Sequence, residues 1–421
     1  MVKKKPLPVV EVKIEKLVHG GQGLGVLPDG RKVFVWNALP GETLQVQLTK
    51  QRKDYAEGIA QEILRSAPER TQPFDEAYLS TSPWQIMEFA TENAQKQAIL
   101  QETFAREKVA VPEMTFVTKG PEHHYRNKME YSFWADDHGL HLALYQRGTH
   151  GKQIVAGSSI ARPEIDEVAG KICTVLQQHG VRGSQLKTVV LRCNQAGEVV
   201  AALFAKDKDF PVIKELQAVC KGITVCFSNP KSPASVVTKE LYAYGDLTLR
   251  DTLLGKEIAY DVHSFFQVNV PVFVAALEQI QLLSSGAKDI IDLYSGVGTI
   301  GIPVGASVLV ELDPHNVAMA KHNAAKQPVK VVHASTEQAL EYITPEACVI
   351  VDPPRAGLHP KVVDSLIAQK PAQIIYLSCN PVTQARDLAQ LQEAYTVAEL
   401  TGYNFFPRTP HIESLVNLVR K

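Results

Sequence analysis

The chain has 421 residues, enough for roughly two or three domains, and 45% of it is hydrophobic, as in a globular protein with real cores. With 44 Lys plus Arg against 45 Asp plus Glu, the net charge of −1 neither selects nor excludes a polyanionic partner, so any nucleic-acid surface has to be a local patch. No apolar run is long enough to span a membrane, Met1-Val2-Lys3-Lys4-Lys5-Pro6 lacks the apolar stretch of a signal peptide, and the six cysteines form no CxxC pair. The chain therefore reads as cytoplasmic, without a membrane anchor, a disulfide framework or a metal.

From about Val9 to Leu64 the pattern is short β segments between glycine-rich turns. Val10, Val12 and Ile14 alternate, His19-Gly20-Gly21-Gln22-Gly23-Leu24-Gly25 makes a tight loop, and Leu44, Val46 and Leu48 alternate again before the basic run Lys50-Gln51-Arg52-Lys53. This predicts a small β-barrel. The glycine loop precedes no helix and so is not a dinucleotide phosphate cradle. Basic loops on such barrels hold RNA, but a charge run is equally a solvated face.

Arg65 to about Pro73 suits a linker, and apolar spacing predicts a helix from about Trp84 to Lys108. Tyr125-Arg126-Asn127-Lys128-Met129-Glu130-Tyr131-Ser132-Phe133-Trp134 sets basic and amide groups before an aromatic strand, a combination able to meet phosphates and stack bases, or to form an edge strand with solvated charges. Residues 135–258 alternate short strands (Lys187 to Arg192, Val199 to Phe204, Ile223 to Phe227, Leu247 to Leu249) with helices near Pro163 to His179 and Pro211 to Cys220, an α+β middle domain.

The last third carries the chemistry. Strand 288–294 turns through Ser295-Gly296-Val297-Gly298-Thr299-Ile300-Gly301 into a helix, and the next strand ends at Glu311, about twenty residues after Asp292, where a carboxylate can hold a ribose diol. Asp292 would repel a pyrophosphate but suits a cationic sulfonium, which favours S-adenosylmethionine over NAD. Two more strands end at Asp352-Pro353-Pro354-Arg355 and at Ser378-Cys379-Asn380-Pro381. Alternating strands and helices predict a doubly wound parallel sheet with Asp292, Glu311, Asp352 and Cys379 along one edge. On its own octapeptide Cys379 is a small buried hydrophobe or a nucleophile. Glu413, among aromatic and apolar neighbours, is a carboxylate whose pKa would rise into the range of proton transfer.

The segments SFFQVN (264–269), DLYSGVGTIGI (292–302), VDPPRAGL (351–358), LSCNP (377–381) and FPRTPHIESL (406–415) resemble, in order and spacing, the RNA uracil-5 methyltransferase family. The N-terminal β segment resembles the TRAM RNA-binding domain, and YRNKMEYSF (125–133) the start of the family's central domain. The resemblance implies a multidomain α/β chain: a TRAM/OB-like barrel over 1–65, an α+β RNA-binding domain over 66–86 and 118–258, and a Rossmann-like methyltransferase domain over 87–117 and 259–421. It implies Cys379 as the nucleophile toward uracil carbon 6 and Glu413 as the base that removes the carbon 5 proton. It also implies cofactor contacts from Gln267, Tyr294, Glu311 and Asp352, with Gly296 and Gly298 allowing close approach, and RNA contacts from Arg126 and Lys128.

The implied product is 5-methyluridine, in large-subunit ribosomal RNA first and transfer RNA second, made by a monomer. Many relatives carry four cysteines for an iron–sulfur cluster; the matching positions here are Pro73, Leu79, Ser82 and one at or near Ser159, so no cluster is expected. Thr299 and Ser335 stand where relatives have other cofactor contacts, and neither contact is carried over. Arg355 after the paired prolines argues against an amine methyltransferase, and Ser378-Cys379-Asn380 against a cytosine-5 enzyme. A silent, RNA-folding protein is the reading from a different class.

Overall fold

The computed structural model describes residues 7–149 and 151–421, so the reading of Met1 to Pro6 lies outside the described residues. Strands Val9–Leu17, Gly23–Val26, Lys32–Trp36, Thr43–Gln51 and Tyr55–Arg65 close into a barrel. The period-two pattern explains it: Val12, Ile14, Val33, Val35, Leu44, Val46 and Leu48 fill the interior while their neighbours face outward. The barrel is bolted to the rest. Buried Glu42 accepts two hydrogen bonds from Arg70 (2.5 and 2.8 Å), the Arg147 guanidinium lies 4.0 Å over the Trp36 ring, and Leu17 and Leu39 join the core of the C-terminal sheet.

The middle region is a seven-stranded sheet in the order Lys239–Gly245, Gly222–Phe227, Val199–Ala205, Leu186–Cys193, Lys128–Asp136, Gly139–Tyr145, Lys152–Ile154. Helix Pro163–Gln178 seals one face with Ile165, Ile172 and Leu176; on the other, Val200, Ala202 and Phe204 pack into the C-terminal core. Two expectations are corrected here. The helix near Pro211 to Cys220 is a short 3-10 segment, Lys214–Ala218, that buries only Leu216 before the next strand starts at Gly222. The strand at Leu247 to Leu249 is the start of a separate ribbon, Leu249–Leu253 with Lys256–Tyr260.

At two of the positions compared with cluster cysteines, Ser82 and Ser159, the chain forms a hydrogen-bonded knot. Gln85 Nε2 donates to Ser82 Oγ (2.6 Å), Ser159 Oγ (2.9 Å) and Asp75 Oδ2 (3.1 Å), and the Ser159 hydroxyl donates to Asp75 Oδ2 at 2.9 Å. Among the described residues no group of His, Cys, Asp and Glu is placed to hold a metal ion, and no helix is long and apolar enough to cross a membrane.

The C-terminal sheet has the order Lys330–His333, Val308–Glu311, Ile290–Leu293, Cys348–Val351, Gln373–Ser378, Glu413–Arg420, Tyr395–Tyr403, Thr115–Val117. The first five strands are parallel, and all but the edge strand Lys330–His333 are buried on both faces, as a doubly wound sheet requires. The sixth departs from the all-parallel expectation: Glu413–Arg420 runs antiparallel to both neighbours, because a short return from Tyr403 makes a hairpin rather than a crossover. Helix Phe89–Arg106, shorter than the Trp84 to Lys108 expected, packs on this part. Its fully buried Lys96 pairs with Glu92 at 2.8 Å and donates to Asn404 Oδ1 at 2.6 Å, while Glu92 accepts from the Arg408 amide at 3.0 Å, so the helix steadies the segment that leads to Glu413.

Candidate active site

A parallel sheet presents its strand ends along one edge, and adjacent strands lie about 4.8 Å apart. Glu311, Asp292, Asp352 and Cys379 therefore come from four neighbouring strands in that spatial order. A cavity of about 620 Å³ opens along this edge, lined among others by Gln267, Tyr294, Gly296, Glu311, Asp352, Cys379 and Glu413. Arg126 lines it too, as do Thr299 and Ser335.

Three expected residues lie elsewhere. Gly298 does not line the cavity; its φ of +91° and its contact with Ile302, whose Cγ1 would be 2.9 Å from a Cβ, make it a packing residue of the turn. Lys128 also lies outside the cavity, half-buried at the start of its strand, and burial pushes it down to about 8. Asp292 is fully buried behind the turn, where Oδ2 accepts from the Gly301 amide at 2.8 Å, and burial pushes it up to about 8. That overturns its reading as the partner of a sulfonium: it is a prop for the glycine turn.

The cofactor end is set by backbone. Tyr294 has φ +66° and Gly296 φ +56°, so the chain folds sharply after the strand, and a left-handed tyrosine is the kind of strain that packing has to hold. The Gly296 amide donates to Glu311 Oε2 at 2.9 Å and the Asp313 amide to Oε1 at 2.7 Å, aiming the carboxylate along the edge. Across the cavity, segment 264–268 is hung from the middle sheet. Arg192, 2% exposed, donates to the carbonyls of Ser264 (2.8 Å) and Phe266 (3.2 Å), and Asn127 donates to those of Gln267 and Val268 (3.0 Å each). Arg192 carried no signal in the sequence beyond a charge inside an apolar strand.

At the other end, Cys379 follows the strand Gln373–Ser378, and Glu413 opens the antiparallel strand beside it. Burial, then the charges of Glu413 and Asp352, push the thiol up to about 12, while Arg355 opposes them. Burial, then Asp352, raises Glu413, which is 1% exposed with Oε1 lacking a hydrogen-bond partner among the described residues. Burial raises Asp352 as well. Arg355, read in the sequence only as an argument against another chemistry, thus proves to be the cation at the thiol. Phe265, Phe406 and His411 also line the cavity; their signal was their place within the quoted motifs.

A nucleoside cofactor with a cationic centre fits these residues. Ser295 Oγ, Asn316 Oδ1 and Glu413 Oε1 are buried in the lining without partners among the described residues, and Gly296 leaves open the space its Cβ would take.

A family model described as tRNA (uracil-5-)-methyltransferase matches residues 88–346 and 341–421, and one described as TRAM domain matches 4–60. An uncharacterized RNA methyltransferase of Enterococcus faecalis is 28% identical over 446 residues, covering 98% of this chain and 97% of the relative; one from Nitratidesulfovibrio vulgaris is 27% identical, covering 98% and 96%. The solved tRNA (uracil-54, C5)-methyltransferase of Pyrococcus abyssi, in complex with S-adenosyl-L-homocysteine, matches with a TM-score of 0.79 at 24% identity, over 97% of this chain and 100% of that one. By the extent of the first match, the chain belongs to the tRNA (uracil-5-)-methyltransferase family.

Proposed function

We propose that the protein methylates carbon 5 of a uridine in RNA through a transient bond between Cys379 and carbon 6 of the base. The observation that carries this reading is the pairing of Cys379 and Glu413 at one end of a cavity whose other end holds Glu311 and the glycine turn. S-adenosylmethionine, held by Gln267, Tyr294, Glu311 and Asp352, supplies an electrophilic methyl group when bound.

Uracil carbon 5 is a poor nucleophile until the ring is attacked at carbon 6. The Cys379 thiol gives its proton to the Asp352 carboxylate, one of the charges that face it, and Arg355 opposes those charges and holds the thiolate. The Sγ to carbon 6 bond forms, and the electron pair displaced to carbon 5 would bond to the methyl carbon as that carbon's bond to the sulfonium sulfur breaks, leaving a neutral thioether. Glu413 in its ionised form then takes the carbon 5 proton, the bond to Sγ breaks with its electron pair returning to sulfur, and the ring double bond is restored; the thiolate takes back the proton from Asp352, and Glu413 releases its own to water. The base has to leave its stack to reach this end, which gives the barrel and middle sheet the task of holding a folded RNA.

The RNA we propose is large-subunit ribosomal RNA, as the resemblance implies. Transfer RNA is the second reading, favoured by the Pyrococcus abyssi transfer-RNA enzyme, which matches this chain over its barrel as well. RNA made with 5-fluorouridine decides both points, since fluorine blocks the last proton removal. A methylated adduct resistant to denaturation should form with one RNA and vanish in Cys379→Ala. No adduct with either RNA, despite bound cofactor, would leave another target base or a silent RNA-binding role.

A further inference from the structure

Loop 18–22 of the barrel reaches the segment that carries Glu413. The loop is closed by the Val18 amide donating to the Gln22 carbonyl (3.0 Å) and the Gly21 amide donating to that of Val18 (2.9 Å). Its apex lies on Pro410: a Cβ at Gly21, where φ is +97°, would stand 2.6 Å from Pro410 Cγ. The Gly21 carbonyl accepts from Trp84 Nε1 at 3.0 Å, and the Trp84 amide donates to the Arg408 carbonyl at 3.0 Å.

Upstream of Pro410 the segment has its own ties, through Glu92 to the Arg408 amide and through the Tyr125 hydroxyl to the Pro407 carbonyl (2.9 Å). Glu413 Oε1 has no partner among the described residues, so the position of this carboxylate depends on the backbone that bears it. We propose that the barrel braces the catalytic site and is not only an RNA tether: Gly21 on Pro410 holds residues 409–413 and thereby aims Glu413, making Gly21 a positioning residue. The proposal rests on the reading of Glu413 as the base that takes the carbon 5 proton.

Gly20 supplies a matched control. Its φ is +93°, nearly that of Gly21, but a Cβ there meets nothing within 4 Å. The experiment compares Gly21→Ala, Gly20→Ala and Trp84→Phe in three readouts: single-turnover methylation at saturating RNA, the Kd for RNA, and amide hydrogen exchange over 407–413 in the RNA-free protein. Gly21→Ala should slow the saturated rate by about tenfold or more, as small misplacements of catalytic groups do, while the Kd for RNA stays within about threefold. Exchange over 407–413 should rise. Gly20→Ala should match the wild type, and Trp84→Phe, which loses the indole donor together with part of a buried ring that faces Lys96, should repeat the Gly21→Ala pattern at smaller size.

A Gly21→Ala protein that binds RNA more weakly but turns over at the wild-type saturated rate would overturn the proposal. So would equal losses in Gly20→Ala and Gly21→Ala, or unchanged exchange in Trp84→Phe, the variant that decides if Gly21→Ala fails to fold. Exchange needs no activity, so a wild type that methylates no uridine would sink the functional reading and still leave the brace tested.

Discussion

Ser378 and Ser414 face one another across antiparallel strands, so the residue after the first, Cys379, and the residue before the second, Glu413, emerge at the same edge of the sheet. If these two act in sequence, Glu413→Gln should stall the reaction after methyl transfer. A covalent, methylated complex should accumulate on ordinary uridine RNA, with turnover lowered about 10² to 10⁴-fold, the usual worth of a general base. Intact mass spectrometry of the quenched mixture checks this, and a variant that turns over normally would remove Glu413 from the proton step.

The Cys379 thiol, at about 12, is almost wholly protonated near neutral pH in the RNA-free protein. Its alkylation by iodoacetamide should therefore rise about tenfold per pH unit from pH 7 to 10, without a plateau, because the thiolate is the reactive form. A plateau below pH 9, followed by peptide mass spectrometry, would mean that burial and the neighbouring carboxylates do not hold the proton on sulfur.

Glu311 is aimed by two backbone amides and lies at the far end of the cavity from Cys379. Glu311→Ala should weaken S-adenosylmethionine by about tenfold to a hundredfold, the value of hydrogen bonds to a charged group, with RNA affinity unchanged. Calorimetric titration of each ligand separates the two.

Asp292 has a folded pKa of about 8 against an ordinary carboxylate value of 3.8. A raised carboxyl stabilises fully below the unfolded pKa, and that contribution is lost as pH rises through the folded one, between about 4 and 8. Asp292→Asn keeps an oxygen for the Gly301 amide and cannot ionise. Its urea midpoint should fall less steeply than that of the wild type from pH 5 to 8; parallel curves would show that Asp292 is not neutral in the folded protein.

Local pattern determined much of this protein. Alternating apolar residues closed the barrel, apolar runs ending in polar turns marked the parallel strands, and the motifs holding Gln267, Tyr294, Glu311, Asp352, Cys379 and Glu413 named residues that line one cavity. What tertiary structure decided depends on partners far apart in the chain. Asp292 and Gly298 look like ligand residues in sequence because the turn puts them near the edge, but only packing against Gly301 and Ile302 turns them inward. Arg192 and Asn127 hold the 264–268 segment from another sheet, and Gly21 meets Pro410 across almost the whole chain, contacts with no local periodicity to announce them. Glu413 faces Cys379 because its strand runs antiparallel, and strand direction is fixed by how elements pack, not by the residues within one strand.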